Sequence, residues 1–307
     1  MGLYKVSMKR SGTFGGQKIE KGMSVEVVFT HKPMGFTKGK ADIKSAYQRK
    51  YNVDVSKLTN STYMEEEKIK LMDKSKDSEF KKITELKWLP FIGKKYFDSD
   101  KKIMIIGESH YRKDNQTSIE WNNKPTFTRD IHSMIALGKK DDQTKVFYYL
   151  NRALFRNDSK IDTKVLWAKL AFYNFVQSSM HTRKSRPNEN DYLKGWSNYF
   201  KLLPILKPDF CLFIGVQASD YLEKAIKKSE FKINEFKKSE KINGTFPREV
   251  TIENPKGKEI KLLFIKHTSN FFSWDEWNVF MKNRYESELN WIKSGVIKPR
   301  NTVGNNV

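Results

Sequence analysis

Four short runs of apolar residues punctuate the last two thirds of the chain: KIMIIG (102–107), KLAFYNFV (169–176), DFCLFIG (209–215) and IKLLFIKH (260–267). Each is continuous rather than alternating, the pattern of a strand covered on both faces. Helical spacing of apolar positions marks 127–137, 143–155, 190–206, 216–228 and a Trp-rich stretch at 274–293. Strands alternating with helices predict an α/β domain over 86–295, a four-stranded parallel sheet sandwiched by helices, followed by a tail at 296–307. In such sheets ligands bind beyond the carboxyl ends of the strands. The residues that follow each run are therefore the first candidates for chemistry.

The first 60 residues read differently. LYKVSMK (3–9) and MSVEVVF (23–29) have strand character and flank the turn-forming SGTFGG, and a helix is predicted over 42–51 before polar, turn-forming residues at 52–60. This predicts a small, basic, β-rich domain at 1–60, which resembles small uncharacterised N-terminal modules of bacterial proteins. Residues 64–82, MEEEKIKLMDKSKDSEFKK, are dominated by charge, with twelve charged side chains in nineteen. They suit a solvated helix or linker, and the boundary between domains is placed at 61–85.

Charge and composition narrow the partner. Lys and Arg exceed Asp and Glu by 58 to 36 over 307 residues, leaving a net charge of +22 and a pI near 9.7, and 13% of residues are aromatic. A basic surface interleaved with aromatic rings suits a polyanion with exposed bases, so DNA is the expected partner. No apolar run approaches the roughly 20 residues of a spanning helix, and no membrane or protein partner is expected. The N-terminus lacks a secretory h-region, and Val6 stands where a myristoylation signal wants Ser or Thr. A cytoplasmic location is the expectation. The single cysteine, Cys211, forbids an internal disulfide and an all-cysteine metal site, and its apolar run points to packing. Neither a phosphate-binding glycine loop nor zinc-like His/Cys spacing is present, so neither a cofactor nor a metal is expected.

The strand ends carry Glu108-Ser109-His110-Tyr111 after the first run, Asn174 in the second, Gly215 after the third and His267-Thr268-Ser269-Asn270 after the fourth. A carboxylate, an amide and an imidazole thus converge on one predicted edge. Each alone would be a cap or a satisfied polar residue.

In this order and spacing the motifs resemble the uracil-DNA glycosylase superfamily over residues 86–293. Gly107-Glu108-Ser109-His110-Tyr111 stands where one branch has Gln-Asp-Pro-Tyr-His and another Glu-Ala-Pro-Gly. FYNFVQSSMHTRKSRPNENDY sets Asn174 in the family's base-binding strand with Arg186-Pro187 downstream. LKPDFCLFIGVQAS (206–219) matches the third motif, and His267-Thr268-Ser269-Asn270 stands for His-Pro-Ser-Pro. The departures are as informative: an Asp after Glu108 is missing, both prolines of the last motif are replaced, and the cysteines of the iron–sulfur branch are absent.

The resemblance implies an enzyme that breaks the N-glycosidic bond of a flipped base. Such a reaction develops positive charge on the sugar and negative charge on the base. Glu108 would steady the sugar cation or orient water, with a helix-capping carboxylate as the alternative reading. His267 would donate to the departing base or touch the adjacent phosphate. Asn174 would read the base, presenting both donor and acceptor, with Tyr111 lining the pocket and Phe127 stacking. His110 is either a second acid or base or a residue that shapes the loop. Ser109, Ser269, Arg112, Lys113, Arg183, Lys184 and Arg186 would contact the DNA backbone. The altered motifs suggest a pocket opened for a modified pyrimidine, such as the hypermodified cytosines of phage DNA that some bacterial members of the superfamily attack. Antiviral defence would then be the setting, with the N-terminal domain adding DNA affinity. The alternatives are a non-catalytic module that recognises modified bases and a uracil-DNA repair glycosylase.

Overall fold

A computed structural model describes residues 2–111, 114–138, 145–156, 161–182, 185–269 and 271–297. The chain divides into two compact units, 1–71 and 72–307.

The first unit contains β1 (Gly2–Met8), β2 (Gly12–Phe14), β3 (Gln17–Ile19), β4 (Ser24–Phe29), α1 (Thr37–Tyr51) and β5 (Met64–Ile69). An antiparallel sheet runs in the order β4-β1-β5, and β2 and β3 pair as a small hairpin. Alternation puts Tyr4, Val6 and Met8 of β1 on one face, where they pack with Val25, Val27, Ile43 and Tyr47. The Tyr47 hydroxyl donates to Val6 O at 3.1 Å and Met23 O at 2.7 Å, fixing the helix to two strands. The expected charged linker is corrected here: 64–69 is a strand of this sheet, not a helix or a tether. As an edge strand paired only to β1, it can leave Glu65, Glu67 and Lys68 in solvent while Met64 enters the core.

The second unit contains α2 (Asp77–Phe80), β6 (Phe91–Ile92), β7 (Ile103–Gly107), β8 (His110–Tyr111), α3 (Gln116–Asn122), α4 (Phe127–Ala136), α5 (Lys145–Phe155), α6 (Thr163–Lys169), β9 (Leu170–Asn174), β10 (Ser179–Met180), α7 (Glu189–Leu206), β11 (Phe210–Ile214), α8 (Leu222–Ile226), β12 (Lys232–Lys238), β13 (Arg248–Glu253), β14 (Glu259–Ile265), α9 (Trp274–Arg284) and α10 (Glu286–Lys293). The four apolar runs form β7, β9, β11 and β14, adjacent and mutually parallel in the order β14-β11-β7-β9. The sheet as a whole has seven strands and is mixed, because β6 adds antiparallel at one edge and β13 and β12 at the other. A four-stranded, all-parallel sheet is thereby corrected to a wider one.

The continuous runs follow from burial on both faces. In β7, Ile103 and Ile105 face one apolar cluster with Phe127, Leu150 and Trp277, while Met104 and Ile106 face another with Tyr173, Trp196 and Phe213. The added strand β12 reads KINEFKK and is mostly exposed, so it lacks that signature. Helix α7 starts at a capping box, Asn188 Oδ1 accepting from Asp191 N at 3.0 Å and Asp191 Oδ2 accepting from Asn188 N at 3.0 Å. The Trp-rich 274–293 stretch is split at Tyr285 into α9 and α10. Among the described residues no helix is long and apolar enough to cross a membrane.

Candidate active site

Parallel β14, β11, β7 and β9 deliver their carboxyl ends to one edge, and the candidate residues separate there into two poles. The first centres on His110. Gly107 pairs in register with Asn174, and a side chain at 107 would collide with Asn174 Oδ1, so glycine lets the amide lie across the strand end. Asn174 Nδ2 lies 2.6 Å from His110 Nε2, and Thr128 Oγ1 lies 2.9 Å from the same nitrogen. An amide nitrogen only donates, so with the amide in this orientation Nε2 accepts and the neutral ring carries its proton on Nδ1. Trp88 meets the ring edge-on at 4.9 Å and Phe127 at 4.5 Å. Burial, with the Lys87 charge adding to it, pushes the His110 pKa down to about 3.

Two expectations change at this pole. Asn174 is only 4% exposed, and its Nδ2 is engaged by His110. Phe127 is 1% exposed and packs against Trp88, Trp121 and His110, so its ring is core and has no free face for stacking. The backbone of His110 and Tyr111 pairs in parallel with Ser179 and Met180 of β10.

The second pole centres on Glu108. Its Oε1 accepts a 2.8 Å hydrogen bond from the Tyr192 hydroxyl, delivered by α7. The Tyr192 ring is stacked on Tyr221, with centroids 5.1 Å apart. Burial raises the Tyr192 pKa, and the Glu108 charge raises it further, so the phenol stays protonated and remains a donor. Tyr111 is half-buried and shifted upward by burial and by Glu108, with Arg186 opposing. His267 is shifted downward by burial, with Glu108 opposing and Arg186 reinforcing. Glu108, Tyr111, Tyr192, Arg186 and His267 thus form one electrostatic group. Gly215, at φ +133°, runs beside the carboxylate: a Cβ there would lie 3.6 Å from Glu108 Oε1.

The loop after β14 is anchored through its second residue. Thr268 is fully buried, and its hydroxyl donates to Val146 O of α5 at 2.9 Å. His267 and Ser269, on either side, remain partly exposed. Ser109 Oγ, in contrast, is buried beside the Tyr111 hydroxyl without a well-formed hydrogen bond, and is not presented to solvent for a phosphate. Arg186 is exposed and feels this pole. Arg112, Lys113, Arg183, Lys184 and Asn270 lie outside the described residues. Among the described residues no group of three or more His, Cys, Asp or Glu side chains could hold a metal ion.

Two further residues belong to this edge. Tyr192 lies 84 positions from its partner Glu108, and no local pattern marks it. Phe271 follows the His267 loop at φ +60° with 90% of its surface exposed, the highest exposure among the large apolar side chains described. Two consecutive phenylalanines in a polar stretch, Asn270-Phe271-Phe272-Ser273, were a usable signal, since only Phe272 enters the core.

Residues 1–65 match DUF6140, a family of unknown function. No curated protein matches the chain.

Proposed function

We propose that the chain is a monofunctional DNA N-glycosylase of the uracil-DNA glycosylase type, which hydrolyses the glycosidic bond of a flipped, modified pyrimidine and leaves an abasic site. The observation that carries this reading is that Glu108 and His267 follow two parallel strands at one carboxyl edge, near enough for the carboxylate charge to act on the imidazole, with an exposed Phe271 beside them. The resemblance of the sequence motifs supplies the reaction class.

In this reading Tyr192 holds one carboxylate oxygen of Glu108 and leaves the other to steady the sugar as its C1′–N bond lengthens, or to orient the incoming water. Water adds its oxygen to C1′ and gives up a proton to Glu108 or solvent, and the base leaves with the bonding electrons and takes a proton from solvent. His267, kept neutral by burial, donates a hydrogen bond to the departing base, a contribution of about 3–4 kcal/mol per donor. Extruding the base costs a few kcal/mol. Phe271 offsets part of this by wedging into the space vacated. The net charge of +22 provides the phosphate attraction. A hypermodified cytosine of phage DNA is the proposed substrate, and antiviral defence in the cytoplasm the proposed setting.

A second reading, a non-catalytic module that senses modified bases, is favoured by one observation: Asn174 is 4% exposed and its Nδ2 is engaged by His110. Incubating the protein with uracil-containing DNA, unmodified DNA and phage DNA carrying glucosylated hydroxymethylcytosine, then cutting with alkali and weighing the released bases, separates the two. The glycosylase reading expects a freed base and alkali-labile strands from the phage DNA. Binding without a freed base from any of the three leaves the sensing module.

A further inference from the structure

The antiparallel hairpin β12–β13, outside the four parallel strands, ends in a tightly built tip. Ile242 and Thr245 exchange backbone hydrogen bonds of 2.8 and 2.9 Å across Asn243-Gly244. Their φ values, +47° and +78°, are the two positive dihedrals of a type I′ turn. Because β13 runs antiparallel to β14, with Arg248 opposite Phe264, this tip extends past the same edge that carries His267.

Asn243 ties the tip to that site. Its backbone O and its Oδ1 accept from Lys266 Nζ at 2.8 and 2.9 Å, and Oδ1 also accepts from Ser273 N at 3.1 Å. Both ends of the segment carrying His267, Ser269 and Phe271 are thus fastened to one residue of the hairpin.

Three positions further on, Phe246 leaves 45% of its surface in solvent, with the Lys241 ammonium 5.5 Å from its ring centroid. Arg248 donates to Phe246 O and fixes the backbone beneath the ring. Lys237, Lys238 and Lys241 are exposed on and beside the tip and outnumber Glu240. Nothing in the base-removal chemistry uses this ring or this ammonium. A rigidly mounted, exposed aromatic with cations around it is the surface that stacks on a nucleobase and meets the neighbouring phosphate.

We infer that the hairpin tip is a second nucleic-acid contact, in which Phe246 stacks on an unpaired nucleobase flanking the target and Lys241 meets an adjacent phosphate. This rests on the DNA reading above. With the full chain, fluorescence anisotropy is measured on two fluorescein-labelled oligonucleotides, one fully paired and one with unpaired nucleotides beside the target position, over a range of salt. Phe246→Ala is expected to weaken binding to the partly unpaired DNA about tenfold, with the salt slope unchanged and a smaller effect on the paired duplex. Lys241→Ala is expected to lower the salt slope by about one. Val165→Ala, an exposed apolar residue on α6, serves as the control and is expected to bind like the wild type. If Phe246→Ala binds the partly unpaired DNA as tightly as the wild type, while the wild type still binds DNA and frees a base, the tip contact is wrong and the glycosylase reading stands. If the wild-type chain binds neither oligonucleotide, both fall together.

Discussion

The two poles of the strand edge are built from similar residues and end in different chemical states. Around His110 a chain of internal hydrogen bonds runs through the scaffold: Nε2 meets Asn174 and Thr128, the backbone carbonyl of Asn174 accepts from Gln177 Nε2 at 2.6 Å, and Gln177 Oε1 accepts from Trp88 N at 2.8 Å. Around Glu108, one carboxylate oxygen is held by Tyr192, and the Glu108 and Arg186 charges act in opposite directions on His267. Burial depresses both histidines. What separates them is the surroundings: an amide and a hydroxyl engage one ring within the scaffold, and the other stays partly exposed under the influence of the Glu108 charge. Residue type at a strand end therefore does not assign a role, and the hydrogen-bond partner does.

That contrast can be broken by substitution. At the Glu108 pole, His267→Ala is expected to reduce base release about 100- to 1,000-fold at unchanged stability, the effect of losing one transition-state donor. Because burial lowers the His267 pKa, the neutral ring is the working form, and activity is expected to hold at neutral pH and fall only on the acid side of the unperturbed histidine range. A rate that rises with acidification would mean the imidazolium is the active species.

At the His110 pole the cost is expected in stability. Asn174→Ala removes a buried amide from a satisfied network and is expected to destabilise the fold by roughly 1–3 kcal/mol, read as a lowered denaturation midpoint. Should the variant keep its midpoint and change which base is released, Asn174 is a reader after all. Tyr192→Phe sharpens the comparison from the other side, deleting only the hydroxyl that orients Glu108. About a tenfold loss in kcat with KM unchanged is expected, the scale of a single hydrogen bond of about 1.4 kcal/mol. An equal loss in binding would place Tyr192 in DNA contact instead.

The smallest effect concerns acid. His132 sits in a box of Phe91, Phe147, Trp167 and Phe172, with neither ring nitrogen hydrogen-bonded, and burial lowers its pKa well below the usual value. His110 is depressed likewise, to about 3. Since both folded pKa values lie below the unfolded one, the unfolded chain binds more protons as pH falls below about 6.5, and stability declines from there downward. His132→Leu is expected to flatten part of that decline. An unchanged slope would show that other groups govern acid unfolding.

The four parallel strands were legible because strands buried on both faces must be continuously apolar. The added strands β6, β12 and β13 were not, since a two-residue strand and an exposed, lysine-rich one carry little apolar signal. Asn243-Gly244 is a pair that favours two positive φ values in succession, a turn signal between β12 and β13 that reading for apolar runs overlooks. The strand from Met64 to Ile69 hid behind its glutamates because an edge strand tolerates charge. At the site, the strand ends named Glu108 and His267. The sequence did not reveal that Asn174 would be consumed by His110, or that Tyr192 would reach Glu108, because both depend on packing between elements distant along the chain. Phe127 illustrates the same limit from within a helix: apolar spacing places it in α4, and only the fold shows that the ring faces inward.

The most direct test of the central claim, that the Glu108 pole performs hydrolysis, is mass spectrometry of bases freed from phage DNA by the wild type and by Glu108→Gln, with DNA binding followed in parallel. The account predicts a freed base for the wild type and a loss of about 100-fold or more for Glu108→Gln, with binding retained. Equal base release by both proteins, or none by either while both bind, would contradict it.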